Sequence, residues 1–171
     1  MVLIGHSLGG QLALLSSATE LTGVHAVVLT AVGSVWWREF GSVRGPRTWS
    51  AANCSRRSAT GPGNGSASVA PSPRQGRTSR YTLRGSDTDY EAALARLKLP
   101  VLAVGVEIDS LAPPGATDHL LQKIPAAPVS RWHYSEALAG GHRLDHFRWV
   151  RHSDGMSAYI TDWISGTLTT R

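Results

Sequence analysis

At 171 residues the chain is long enough for one hydrophobic core, and 17 Lys or Arg against 12 Asp or Glu give it a net charge of +5. No apolar run reaches the length of a membrane span, the single Cys54 excludes an internal disulfide, and no Cys/His spacing suits a metal ion. The positive charge is local: residues 41–80 hold seven Arg and no acid, whereas the rest hold ten basic and twelve acidic groups. The chain opens on a strand-like run without the basic and apolar regions of a secretory leader, so a cytoplasmic placement is expected.

The opening run Val2-Leu3-Ile4 leads directly into Gly5-His6-Ser7-Leu8-Gly9 and then Gly10. Apolar strand, G-x-S-x-G turn and helix-forming sequence in immediate succession describe a sharp strand-to-helix turn that exposes a serine hydroxyl. Side chains two residues either side of Ser7 must be small, which Gly5 and Gly9 provide, and Gly10 is expected to let the helix approach the sheet. Leu8 to about Thr19 reads as that helix, with Leu8, Leu12, Leu15 and Ala18 near helical spacing and Gln11 off the stripe. Gly23 stops it, and Val24–Thr30 reads as a buried strand. Together these predict a right-handed βαβ unit, hence a parallel sheet.

Trp36, Trp37 and Phe40 fit either a lid over a pocket or ordinary packing under a loop. From residue 41 to 80 the sequence turns to Gly, Ser, Pro, Ala and Arg, with no Leu, Ile, Phe, Met or Tyr. Such a stretch buries too little surface to offset the entropy of ordering it, so disorder is expected throughout. Its bias is that of a GC-rich gene read in the wrong frame, and a segment out of register with its flanks is the preferred explanation. It lacks the interleaved aromatic residues of a nucleic-acid-binding module, and no nucleic-acid partner is expected.

Organisation returns near Tyr81. Asp87–Leu97 reads as a helix with Tyr90, Ala93, Leu94 and Leu97 on one face, and Leu99–Gly105 as a buried strand. Gly115–Lys123 is a second helix, Val129–Tyr134 a strand, and about Ser153–Ser165 a last helix with Met156, Tyr159, Ile160 and Trp163 in one stripe. The domain reading is therefore a βαβ unit over 1–40, a low-complexity insertion over 41–80 and further core over 81–171.

Nucleophilic catalysis by serine needs an imidazole to accept its proton and a carboxylate to orient the imidazole. Asp109 follows an apolar strand and stands before Leu111-Ala112-Pro113; Glu107 competes with it. His133 lies inside a strand and His152 at a helix start. His142 follows Gly140-Gly141, and His146 lies in Leu144-Asp145-His146-Phe147-Arg148-Trp149.

The G-H-S-x-G-G turn, the acid loop around Asp109 and the His146-Phe147-x-Trp149 text resemble α/β-hydrolases, specifically bacterial hydrolases related to the serine aminopeptidase clan. The resemblance covers residues 1–40 and 81–165. It implies a partial α/β-hydrolase fold: a mostly parallel sheet with flanking helices and a disordered insertion. It also implies an order of nucleophile, acid, base along the chain, each after a strand. Ser7, Asp109 and His146 fill those roles, since the spacing to Trp163-Ile164 suits His146 better than the alternative base His142. The backbone N–H of Leu8 is one oxyanion donor, and Gly5, His6, Gly9 and Gly10 are the structural residues of the turn.

The same resemblance implies strands and a second oxyanion donor before the elbow. An N-terminally truncated hydrolase, inactive or weakly active, is thus expected, with its elbow strand at an exposed sheet edge. The implied function is hydrolysis of an ester, thioester or amide through an acyl-serine, on a small acyl substrate and without cofactor or metal. A non-catalytic remnant acting through interactions, and a cofactor-free haloperoxidase or lyase, are the alternatives.

Overall fold

The computed structural model describes residues 1–19, 21–40, 73–82 and 85–169. In chain order these form β1 (Val2–His6), α1 (Leu8–Thr19), β2 (Ala26–Thr30), a 3₁₀ turn (Trp37–Phe40), α2 (Pro73–Thr78), α3 (Tyr90–Ala95) and β3 (Val101–Val106). There follow α4 (Pro114–Leu121), β4 (Val129–Tyr134), a second 3₁₀ turn (Arg148–His152) and α5 (Asp154–Thr169). The strands make one sheet in the order β1-β2-β3-β4, every pair parallel.

Register explains the two-sided core. Val27 pairs with Val101 and Val28 with Leu102, so alternate residues face opposite sides of the sheet. Val27, Leu29 and Val101 pack with Leu14 and Leu15 of α1, Leu94 of α3 and Leu120 of α4. Val28, Leu102 and Val104 meet Tyr134, Leu144, and Met156 and Ile160 of α5 on the other face. Burial on both faces is why β2 and β3 read as unbroken apolar runs. The stripe expected on the last helix is the one that packs: Met156 is fully buried and Tyr159 stacks on Trp132 at 4.0 Å.

Several expectations need correction. The buried face of α1 is Gly10, Gln11, Leu14 and Leu15, not the Leu8–Leu12 line. Gln11 belongs to the core because its amide donates to the Gly33 carbonyl at 2.8 Å and accepts from the Tyr81 hydroxyl at 3.2 Å. α3 begins at Tyr90, three residues after the expected Asp87, because Asp89 is its N-cap and accepts from the Ala92 amide. The expected disorder of 41–80 lies outside the described residues up to 72. Over 73–80 it is replaced by α2, with Gln75 buried and Ser79 N–H bonded to the Gln75 carbonyl. Of the aromatic residues expected either to cap a pocket or to pack under a loop, Trp36 packs against His119 of α4, ring centroids 4.4 Å apart.

Gly9 also differs from expectation. A Cβ there would meet nothing within 4 Å, whereas one on Gly5 would lie 2.4 Å from the Gly10 Cα. A Cβ on Gly10 would lie 2.3 Å from Val32 Cγ2 and 2.9 Å from the Gly5 carbonyl oxygen. The steric demand of the turn therefore falls on Gly5 and Gly10, where α1 touches the sheet. Tyr81 anchors the returning chain: its N–H donates to Glu91 at 2.7 Å, and Glu91 pairs with Lys123 at 2.6 Å. Among the described residues β1 lies at the edge of the sheet, with Ile4 58% exposed.

Gly10→Ala should destabilise the protein by about 1–3 kcal/mol through overpacking against Val32. Gly9→Ala should be neutral or stabilising by up to about 1 kcal/mol, from helix propensity. Urea unfolding midpoints of the two variants check this, and equal losses would refute it.

Candidate active site

Three loops at the carboxyl ends of parallel strands converge. Ser7 follows β1, Asp109 follows β3, and His146 lies on the long loop after β4. Ser7 has a φ of 53°, a left-handed conformation that a non-glycine residue adopts only under constraint. The constraint is visible: its N–H continues the sheet ladder to the Thr30 carbonyl, while its own carbonyl accepts from the Gly10 amide in the first turn of α1. The chain must change from strand to helix within one residue, and the side chain is turned outward.

The Ser7 hydroxyl lies 2.7 Å from His146 Nε2, and His146 Nδ1 lies 2.8 Å and 3.0 Å from the two oxygens of Asp109. A carboxylate only accepts, so Nδ1 carries the proton and Nε2 is left as the acceptor of the serine O–H. Asp109 is 7% exposed and His146 4%. Burying a carboxylate is costly unless its oxygens are satisfied. Here Oδ1 also accepts from the Leu111 and Ala112 amides, both at 2.9 Å. Ile108, immediately before Asp109, has a φ of 60°, an outlier for a β-branched residue that stores about 1–3 kcal/mol of strain. That bend delivers Asp109 to the imidazole.

The competing residues are occupied elsewhere. Glu107 accepts from the Glu136 amide at 2.5 Å and so ties the β3 loop to the β4 loop. His142 is exposed and stacks on His152 at 3.8 Å, away from Asp109. His133 is exposed on β4. It lines a hollow of about 260 Å³ between α4 and β4, which also includes Ala103, Gly105 and Arg131 but none of Ser7, Asp109 or His146. Leu8 is the first residue of α1, where helix N–H groups have no partner within the helix.

Reading the residues alone missed the contacts of His6. Its Nε2 lies 2.9 Å from the His146 carbonyl oxygen, to which Trp149 Nε1 also donates at 3.1 Å. The rings of His6 and His146 are 4.8 Å apart. Burial pushes the His6 pKa below its ordinary value, opposed by the bond to the His146 carbonyl and reinforced by the His146 ring. The Asp109 turn was detectable, since an aspartate commonly accepts from amides two and three residues on. The His6 contact joins residues 140 apart and left no local signal.

Among the described residues no group of His, Cys, Asp and Glu could hold a metal, and no helix is long and apolar enough to cross a membrane. No family profile and no curated protein sequence matches the chain. Solved structures do. A Mycobacterium tuberculosis protein assigned as a non-heme bromoperoxidase, BpoC, superposes with a TM-score of 0.55 at 14% identity, covering 97% of this chain and 67% of that one. Esterase B of Lactobacillus rhamnosis gives 0.55 at 15% identity, covering 96% of this chain and 51% of the other. An esterase of Pyrococcus furiosus gives 0.51 at 12% identity, covering 99% and 53%.

This chain has part of the α/β-hydrolase fold. It spans about half to two thirds of the length of these structures. The parallel sheet with helices on both faces accounts for the match, and at these identities the likeness is one of fold.

Native stability should fall as pH drops. His6 has a lowered pKa from burial, as has His119 from burial and then the charge of Lys123. Below the ordinary histidine value of about 6.5 the unfolded chain binds more protons at these two sites than the native one, so stability present above that value is lost on acidification. Urea midpoints measured from pH 8 to pH 5 should decline, and the His6→Gln/His119→Gln double variant should decline less steeply.

Proposed function

We propose that the chain is the nucleophile-bearing part of a serine hydrolase that cleaves an ester, thioester or amide of a small acyl substrate. The observation that carries this reading is the continuous hydrogen-bond chain from Ser7 Oγ through His146 to the buried, amide-capped Asp109. Ser7 attacks the substrate carbonyl carbon while its proton passes to His146 Nε2. The carbonyl oxygen becomes an oxyanion, which the Leu8 N–H stabilises. Collapse of the tetrahedral adduct expels the leaving group, which takes the proton from His146 and leaves an acyl-serine. Water then gives a proton to His146 and attacks the acyl carbon, and as the acyl–oxygen bond breaks His146 returns that proton to Ser7 Oγ, releasing the acid.

Asp109 stays ionised throughout and stabilises the transient imidazolium while fixing the tautomer. Phe147 stands edge-on to the His146 ring at 4.7 Å and is 64% exposed, so an apolar surface adjoins the imidazole that meets the serine. That surface favours an apolar acyl or alcohol group over a charged one. Cysteine usage fits a reducing, cytoplasmic setting. A second reading, cofactor-free haloperoxidase chemistry through a peracid formed at the same serine, draws on the likeness to the assigned bromoperoxidase.

A fluorophosphonate probe should label the protein at Ser7, and Ser7→Ala should abolish labelling. His146→Ala and Asp109→Asn should each lower the labelling rate on the order of 10³–10⁴-fold, by analogy with other serine triads. His142→Ala should leave the rate unchanged. Labelling mapped by mass spectrometry to another residue would remove the hydrolase reading in favour of a non-catalytic role, as would none at all in a version carrying the strands expected before the elbow. Bromination of monochlorodimedone with peroxide and acetate tests the second reading.

A further inference from the structure

We infer that His6 is a positioning residue: its Nε2–H holds the backbone of His146 against the elbow and so sets the distance between Ser7 and the imidazole. The inference rests on the hydrolase reading for its catalytic meaning, but its geometry is independent of it. A carbonyl only accepts, so the 2.9 Å contact between His6 Nε2 and the His146 oxygen requires the proton on Nε2.

The two ends of that bond differ in rigidity. His6 is the last residue of β1 and pairs with Thr30 in the sheet. His146 sits on a loop between Tyr134 and the 3₁₀ turn at Arg148, with no strand or helix of its own. The loop is held from below by Leu144, which is fully buried, and by its N–H to Glu136 at 3.3 Å. Neither contact reaches the elbow. The bond from His6 does, one residue from the nucleophile, and Trp149 Nε1 shares the same carbonyl at 3.1 Å. The His6 ring also packs against Phe147 at 5.8 Å and Trp149 at 5.5 Å, so it grips the residue after the base and the one that shares the carbonyl.

The charge state suits this role. His6 keeps its single Nε2–H while uncharged, and its ring lies 4.8 Å from the one that becomes cationic when Ser7 is deprotonated. A lysine or arginine could donate the same bond but would place a permanent positive charge beside the developing imidazolium.

The test separates donor from ring. In His6→Gln the amide nitrogen falls near the place of Nε2, in His6→Asn near that of Nδ1 and short of the carbonyl, and His6→Phe keeps the ring without a donor. The far-downfield proton resonance of His146 Nδ1–H, assigned by its absence in His146→Phe, reports the pairing with Asp109 without any substrate. It should persist in wild type and His6→Gln and be lost in His6→Asn and His6→Phe. Over the same series the fluorophosphonate labelling rate and kcat for p-nitrophenyl acetate should fall about 10- to 100-fold in the Asn and Phe variants, with KM unchanged. In the Gln variant both should stay near wild type.

Persistence of the resonance in His6→Asn overturns the inference, as does its loss in Gln and Asn alike; the Asn variant decides if the Phe variant does not fold. If the wild type does not label, the resonance, which needs no activity, still decides the role of His6, and the labelling of Ser7 in a longer version decides the hydrolase reading separately.

Discussion

The contact of α1 with the sheet at Gly5, Gly10 and Val32 is the constraint from which the site follows. Where a Cβ on Gly10 would overlap Val32, the helix axis must come close to β1 and β2. A helix entering that close, immediately after a strand, leaves one residue for the reversal of backbone direction. That residue is Ser7, and its positive φ is the geometric result. The strain is confined to a single position because the sheet ladder holds one side of it and the first helical turn holds the other. Exposure of the hydroxyl is thus a consequence of helix–sheet packing and not of any feature of the serine.

The sheet order then fixes what the serine can meet. β2 lies between β1 and β3, so the loops carrying Ser7 and Asp109 are two strand spacings apart, about 10 Å. No direct contact between hydroxyl and carboxylate spans that gap. An imidazole, with nitrogens on opposite sides of one ring, does, and His146 arrives from beyond β4 to lie between them. The left-handed Ile108 and the two amides of Leu111 and Ala112 complete the arrangement by turning Asp109 inward and satisfying it there. Ser7 and Asp109 are thus held by backbone geometry on their own strand and loop, and His146 by the side chains it meets there.

How much of this was readable in the sequence depends on the range of the interaction that determines it. The strands β1 to β4 and helices α1, α4 and α5 follow from local apolar pattern, and so did the elbow, whose glycines and strand-to-helix context are contiguous. Asp109 and His146 came from resemblance combined with strand order. The failures are non-local. Gln11 read as lying off the apolar stripe because its partners, Gly33 and Tyr81, are distant in sequence. Gly9 was assigned a steric role at the turn that it does not have, whereas the close approach expected at Gly10 is present, against Val32. α2 was hidden by composition, since Pro, Arg, Gln, Gly and Thr give no apolar periodicity.

His6 carries the same lesson into function. Within the motif it is one variable letter between two fixed ones, and local reasoning gives it nothing beyond a place in the turn. Its carbonyl partner lies across the site on the loop of His146. A strand residue adjacent to Ser7 is well suited to such a link, because any shift of β1 moves Ser7 and the anchor of His146 together. The hydroxyl-to-imidazole distance is then insensitive to small motions of the edge strand, which has a neighbour on one side only among the described residues. An imidazole held only by its own loop has no such coupling to that edge, and on the proposed reading its proton transfer with Ser7 would fall off steeply with misplacement.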